Sequence, residues 1–305
     1  MPHITTANTG IELFYDTHGD PENETVLLVM GLGAQMMLWP QELVDALVGH
    51  GFHVVRYDNR DIGLSQKMDG AVAPKLVWQL IRKRIGWPAR VPYGLVDMAA
   101  DGIGLLDALG IEKAHVVGAS MGGMIVQRMA IDHPHKLLSM TSVMSTTGNP
   151  RLPQAEKEAI GALTAPLPSL EEDDLVAHGL NIQDKIGSPG FPVDMDRRRE
   201  RVTAMIRRSV HPQGLPRQLA AIIDDGDRTS ALKSVTTPTL VLHGEADSLV
   251  KLEGGKATAA AIPGAKLVTI PGWGHDLPVE LIDQLAGEIA AHAKSVAPKI
   301  SEAAE

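Results

Sequence analysis

The stretch Gly118-Ala119-Ser120-Met121-Gly122 follows a strand-like run, Ala114 to Val117, and opens a helix-like segment, Met124 to Asp132. A serine at the apex of a strand-turn-helix corner is exposed for nucleophilic attack. Its strained backbone leaves no room for side chains two residues away on either side, and glycine at both places removes the collision. A serine hydroxyl is a poor nucleophile until a base takes its proton, so the corner requires a histidine and an orienting carboxylate further along the chain.

Both are available. Pro238 to His243 reads as a buried strand running into Gly244-Glu245-Ala246-Asp247, and Lys266 to Ile270 reads as the next strand, followed by the glycine-flanked loop Pro271-Gly272-Trp273-Gly274-His275. Asp247 is preferred to Glu245, because a carboxylate three residues after the glycine has room to turn back towards the histidine loop. The expected catalytic set is therefore Ser120, Asp247 and His275. That chain order excludes the chymotrypsin-like and subtilisin-like arrangements. His243 ends a buried strand and reads as a hydrogen-bonded core histidine, whereas His133 and His135 belong to the stop signal of the helix after the corner.

Acyl transfer also needs donors for the oxyanion. Thr25 to Met30 is a nearly continuous apolar run, hence a strand buried on both faces, and it breaks into Gly31-Leu32-Gly33-Ala34-Gln35. The backbone N–H groups of Leu32 and Met121 are the expected pair, stabilising charge that exists only in the tetrahedral intermediate.

The elements that must hold these loops alternate strand and helix, as a mostly parallel sheet requires. Ile11 to Thr17 reads as an antiparallel edge strand, Pro40 to Val48 as a helix, His53 to Tyr57 as a strand, Asp97 to Leu109 as an amphipathic helix and Leu137 to Val143 as a further strand. Asp58 and Arg60 brace the polar turn 58–65. After Val143 the alternation stops, and the proline-broken, helix-forming stretch from Asn149 to Ser234 reads as a cap over the site. A second insertion, Lys75 to Tyr93, carries an amphipathic helix with Trp78, Leu80, Ile81 and Trp87. The expected organisation is core 1–148, cap 149–234, core 235–293 and a frayed tail 294–305.

These motifs resemble the α/β-hydrolase superfamily from about Ile11 to Ala293. More narrowly, 27–31 (LLVMG), 56–65 (RYDNRDIGLS), 115–123 (HVVGASMGG) and 270–278 (IPGWGHDLP) are similar to bacterial serine carboxylesterases of the aclacinomycin methylesterase type. The resemblance implies the α/β-hydrolase fold and the triad, but not the substrate. One departure stands out. Many superfamily members have His-Gly before the oxyanion loop, whereas this chain has Met30-Gly31, which removes a polar anchor.

Composition sets further bounds. A chain of 305 residues can bury a sizeable core, and a formal charge of −9 argues against a nucleic-acid or acidic-membrane partner. The absence of cysteine removes disulfides, thiolate metal sites and thiol catalysis. With no leader-like amino terminus and no membrane-length apolar run, a cytoplasmic enzyme is expected. The reading is a serine carboxylesterase acting on small to medium apolar esters, with no cofactor and no metal. Lactonases, carbon-carbon bond hydrolases and perhydrolases keep the same serine and stay open, as does a ligand-sensing receptor that retains the triad. The arginine run from Arg197 to Arg201, with Arg207 and Arg208, reads as a solvated helix face. Met30, Met36, Met37, Met121 and Met124 read as soft walls of an apolar pocket.

Overall fold

In the computed structural model, residues 2–72, 78, 79, 81, 82, 85 and 91–296 are described. Among them eight strands form one sheet: β1 (His3–Thr5), β2 (Glu12–His18), β3 (Thr25–Val29), β4 (His53–Tyr57), β5 (Ala114–Ala119), β6 (Leu137–Val143), β7 (Thr239–Gly244) and β8 (Lys266–Ile270). Their spatial order is β1-β2-β4-β3-β5-β6-β7-β8. β2 pairs antiparallel with β1 and β4, and the strands from β4 to β8 run parallel to their neighbours. The chain is an α/β structure with a mostly parallel sheet.

The central strands are apolar throughout because both faces are covered. Along β3, Leu27 and Val29 pack into one core while Val26 and Leu28 pack into the other. One face carries helices α2 (Leu95–Ala108) and α3 (Met121–Asp132); the opposite face carries α1 (Gln41–Gly49) and the terminal helix Ile282–Val296. β3 is flanked by β4 on one side and β5 on the other, so the loops leaving β3 and β5 emerge side by side at the carboxyl edge of the sheet, where open α/β sheets form their crevice. The loops after β7 and β8 open on the same edge.

The strand read from Ile11 to Thr17 is not the edge. A three-residue strand, too short to register as a pattern, lies outside it. The helix after the corner begins at Met121 rather than Met124. Gly122 and Gly123 look like helix breakers, but their positions allow close approach: a Cβ on Gly122 would lie 2.0 Å from the carbonyl oxygen of Val29, and one on Gly123 would lie 2.5 Å from Ser145 Cβ.

Between β6 and β7 come α4 (Lys157–Thr164), α5 (Glu172–Ile186), α6 (Met195–Arg208), α7 (Gly214–Asp225) and the short α8 (Thr229–Leu232). Leu80 and Trp87 of the second insertion lie outside the described residues; Trp78 and Ile81 are exposed, while the Gln79 amide donates to Ala220 O at 2.6 Å. The terminal helix extends to Val296, past the start of the tail read at Lys294, and 297–305 lie outside the described residues. Among the described residues no helix is long and apolar enough to cross a membrane.

The inserted helices are tied to the core by buried charge. Arg217 of α7 donates two hydrogen bonds of 2.7 Å to the Asp61 carboxylate, which also accepts from Tyr93 Oη and Met68 N, each at 2.7 Å. Burial opposes ionisation of Asp61, yet the Arg217, Met68 and Tyr93 hydrogen bonds hold its carboxyl below the usual range. Removing one partner strands the other charge. Asp61→Asn is expected to lower the unfolding free energy by about 3–5 kcal/mol, read as a drop in the urea midpoint with an unchanged slope.

Candidate active site

Ser120 sits between β5 and α3 at φ 56° and ψ −117°, a left-handed backbone on a residue with a side chain. Close packing imposes it. A Cβ on Gly118 would lie 2.1 Å from Gly122 O, so neither glycine of the corner can be replaced without moving strand or helix. Ser120 N donates to Val143 O at 2.9 Å and Ser145 Oγ donates to Ser120 O at 2.7 Å, which pins the strained residue to β6 and the loop after it.

The structure brings Ser120, His275 and Asp247 into one hydrogen-bonded line. His275 Nε2 is 3.0 Å from Ser120 Oγ, and His275 Nδ1 is 2.7 Å from Asp247 Oδ2. The other oxygen of Asp247 accepts from Leu249 N at 2.9 Å and Val250 N at 2.8 Å, so both oxygens of this fully buried carboxylate have partners. An ionised carboxylate only accepts. The Asp247 contact therefore places a proton on His275 Nδ1 and leaves Nε2 free to accept from the serine. Glu245 does not reach the histidine; it accepts from Thr269 Oγ1 at 2.8 Å near the surface.

His243 is fully buried and lies beneath Asp247, with Nε2 2.8 Å from Val250 O and 3.7 Å from Asp247 Oδ2. Its Nδ1 faces Gly255, where an added Cβ would lie 2.5 Å away. His133 caps the end of α3, and His135 lies in the short turn after it.

Gly31 runs directly against the serine: a Cβ there would lie 3.1 Å from Ser120 Cβ. Leu32 follows Gly31 and lines the same cavity as Ser120, and Met121 supplies the first N–H of α3, which has no acceptor within the helix. The polar anchor missing from Met30-Gly31 is replaced by others. Asn59 Nδ2 donates to Met30 O at 2.9 Å, and Gly33 N donates to Gln218 Oε1 at 2.9 Å, while Gln218 Nε2 donates to Arg60 O at 2.9 Å. Gln218 belongs to α7, 185 residues from Gly33, so nothing in the local sequence points to it. Asp58 braces the same region, as its place in the polar turn suggests: its carboxylate accepts from Met36 N at 2.8 Å and Leu64 N at 2.9 Å and lies 2.6 Å from the Arg208 guanidinium. Arg60 is committed to Asp101 through two 2.6 Å hydrogen bonds.

The histidine loop is held by the insertion. His275 N donates to Ile186 O at 2.7 Å, Gly274 N to Ser188 Oγ at 2.8 Å and Gly190 N to Gly272 O at 2.9 Å. Ser188 Oγ also donates to the Asp276 carboxylate.

Above the serine lies a cavity of about 1100 Å³, lined on one side by the core loops and on the other by the inserted helices. Of the methionines read as pocket walls, Met30, Met121 and Met124 line it; Met36 and Met37 do not, because the short helix 36–38 presents Leu38 to the cavity and buries Met36. Met144 and Met205, remote in sequence from the corner, complete the set. Among the described residues no group of three or more His, Asp or Glu side chains is arranged to hold a metal ion.

Residues 24–280 match the alpha/beta hydrolase fold family, and the chain belongs to it. Rhodomycin D methylesterase of Streptomyces peucetius is 28% identical over 314 residues, covering 97% of this chain and 99% of its own. Among solved structures, the chain is similar to an enol-lactonase from Burkholderia xenovorans LB400 at a TM-score of 0.70 and 23% identity, covering 96% of this chain and 100% of that one. It is also similar to a meta-cleavage product hydrolase from Pseudomonas fluorescens IP01 at a TM-score of 0.72 and 20% identity, covering 97% and 98%. At these identities the two structures show the fold alone.

Burial pushes the pKa of His243 below its ordinary value. The unfolded chain then binds the proton first as pH falls, so the neutral-His243 contribution is complete above about pH 6.5 and is lost below it. Burial raises Asp101 and Asp276, which act in the opposite sense; a difference between variants isolates the histidine. His243→Gln, whose amide can still donate to Val250 O, is expected to lose less stability than the parent between pH 7 and pH 5.5, measured as the shift in urea midpoint.

Proposed function

We propose that the protein is a serine carboxylesterase. The observation that carries this reading is the unbroken hydrogen-bonded line from Asp247 through His275 to Ser120 at the floor of a large, mainly apolar cavity. Ser120 Oγ attacks the ester carbonyl carbon as its proton passes to His275 Nε2. The imidazolium that forms is stabilised by Asp247. The carbonyl oxygen takes on negative charge and is met by the N–H groups of Leu32 and Met121. Collapse of the intermediate expels the alcohol, which takes the proton from His275, and leaves the acyl group on Ser120. Water activated by the same histidine then releases the acid.

The substrate in this reading is a small-molecule carboxylic ester, supported by the methylesterase relative across nearly its full length. Lactones and carbon-carbon bonds are cleaved by proteins that share the fold, but no residue lining this cavity singles out either reaction. The segment 149–234 acts as a cap, since its helices supply the upper wall of the cavity.

Ser120→Ala and His275→Ala are each expected to reduce kcat for p-nitrophenyl butyrate by at least about 10⁴-fold while leaving the circular dichroism spectrum unchanged. A serine-directed phosphonate should label Ser120 in the parent and nothing in Ser120→Ala; labelling at another serine would refute the assignment. The cap role has its own test. Ile182 of α5 lines the cavity, so Ile182→Trp should lower kcat/KM for octanoate esters by about tenfold or more while acetate esters change little, because the lost volume matters only to substrates that fill it. Equal effects on both lengths would place the acyl group elsewhere.

A further inference from the structure

The arginine run of α6 is not the uniformly solvated face that its composition suggests. Arg197 pairs with Glu42, Arg207 with Glu172, and Arg208 with Asp58, while Arg198 comes within 3.9 Å of Asp276. Arg199 is exposed. Arg201 differs from all of them: among the described residues it makes no hydrogen bond or ion pair, and its Nε is buried without a partner.

Its place on the helix accounts for this. Arg201, Val202, Met205, Ile206 and Ser209 all line the cavity, and their spacing of one, four, five and eight residues is that of one face of a helix. The acid that acts on it most strongly, Asp276, is already engaged by Ser188 and Arg198 and makes no ion pair with it. Burial and the neighbouring Arg197 and Arg198 disfavour the charge on Arg201, with Asp276 and Glu42 opposing them. A guanidinium nevertheless remains charged across the working range of proteins. Arg201 is half-buried with its Nε shielded from water, and among mostly apolar walls a partly desolvated, unpaired cation costs stability that a bound anion would recover. A guanidinium fork matches a carboxylate in two-point geometry.

From this arrangement we infer that Arg201 binds a carboxylate carried by the substrate, separated from the scissile ester by an apolar span. The substrate class is thus an ester whose acyl or alcohol part ends in a carboxylate, such as a half-ester of a dicarboxylic acid. This rests on the esterase reading and narrows it. Arg201 does not take part in the chemistry; it selects and positions what reaches Ser120.

The test compares mono-p-nitrophenyl esters of linear dicarboxylic acids, from glutaric to sebacic, with p-nitrophenyl alkanoates of matching length. In the parent protein the ratio of kcat/KM, carboxylated over neutral, is expected to exceed one at the chain length that lets the carboxylate reach Arg201. At that length the ratio should fall at least tenfold in Arg201→Met and less in Arg201→Lys, which keeps the charge without the fork. A ratio well below one at every length in the parent would overturn the inference, as would an unchanged ratio in Arg201→Met. Should Arg201→Met fail to fold, the parent's length profile and Arg201→Lys decide between the two outcomes. Failure of the esterase reading looks different: neither ester series is turned over by the parent.

Discussion

The architecture of the site depends on a steric constraint at Ser120. For the serine to stand clear of the sheet, the chain must reverse within one residue at positive φ, and the reversal holds only if strand β5, helix α3 and the end of β3 come closer than side chains permit. Gly118 and Gly122 make that approach possible, with Gly31 giving a further close contact from the β3 loop. Because β3 and β5 are neighbours, the same closeness puts the Leu32 loop against the hydroxyl and points the start of α3 at the same spot. Proposed nucleophile and proposed oxyanion donors are therefore fixed by one packing event.

The remaining partners arrive by a different kind of interaction. Asp247 and His275 come from the loops that follow β7 and β8. They are held by saturation of their polar groups: both oxygens of Asp247 are occupied, and three hydrogen bonds join the histidine loop to residues 186–190. Buried ion pairs, Asp58 with Arg208 and Asp61 with Arg217, fasten the inserted helices to the turn that supports the β3 loop. Such pairs add little net stability compared with apolar contacts, but each fixes one geometry, because misplacing it leaves a charge uncompensated.

How much of this was legible in the sequence follows from the range of each interaction. The corner, the strands leading into it and the loops bearing Asp247 and His275 have local signatures: apolar runs, glycines at fixed offsets and polar breaks. The α/β fold and its mostly parallel sheet follow from alternation, whereas the spatial order, with β4 outside β3, does not. Contacts between distant segments left no local trace. Asn59, Gln218 and Ser188 are ordinary polar residues in sequence and become anchors only once the fold brings them to Met30, Gly33 and Gly274. Arg201 was hidden among its neighbours, since the run Arg197 to Arg201 has the composition of an exposed face and only the helix phase separates the one residue on the cavity side. The methionines near the corner show the converse. Met36 and Met37 are close to the β3 loop in sequence, but their short helix presents Leu38 to the cavity instead, while Met144 and Met205 reach it from afar.

The bonds between residues 186–190 and the histidine loop make the cavity wall and the proposed base one mechanical piece. Ile186 lines the cavity and accepts from His275 N, so cavity shape and imidazole position rest on the same contacts, and a substitution that reshapes this wall bears on the proposed base as well as on the space above the serine.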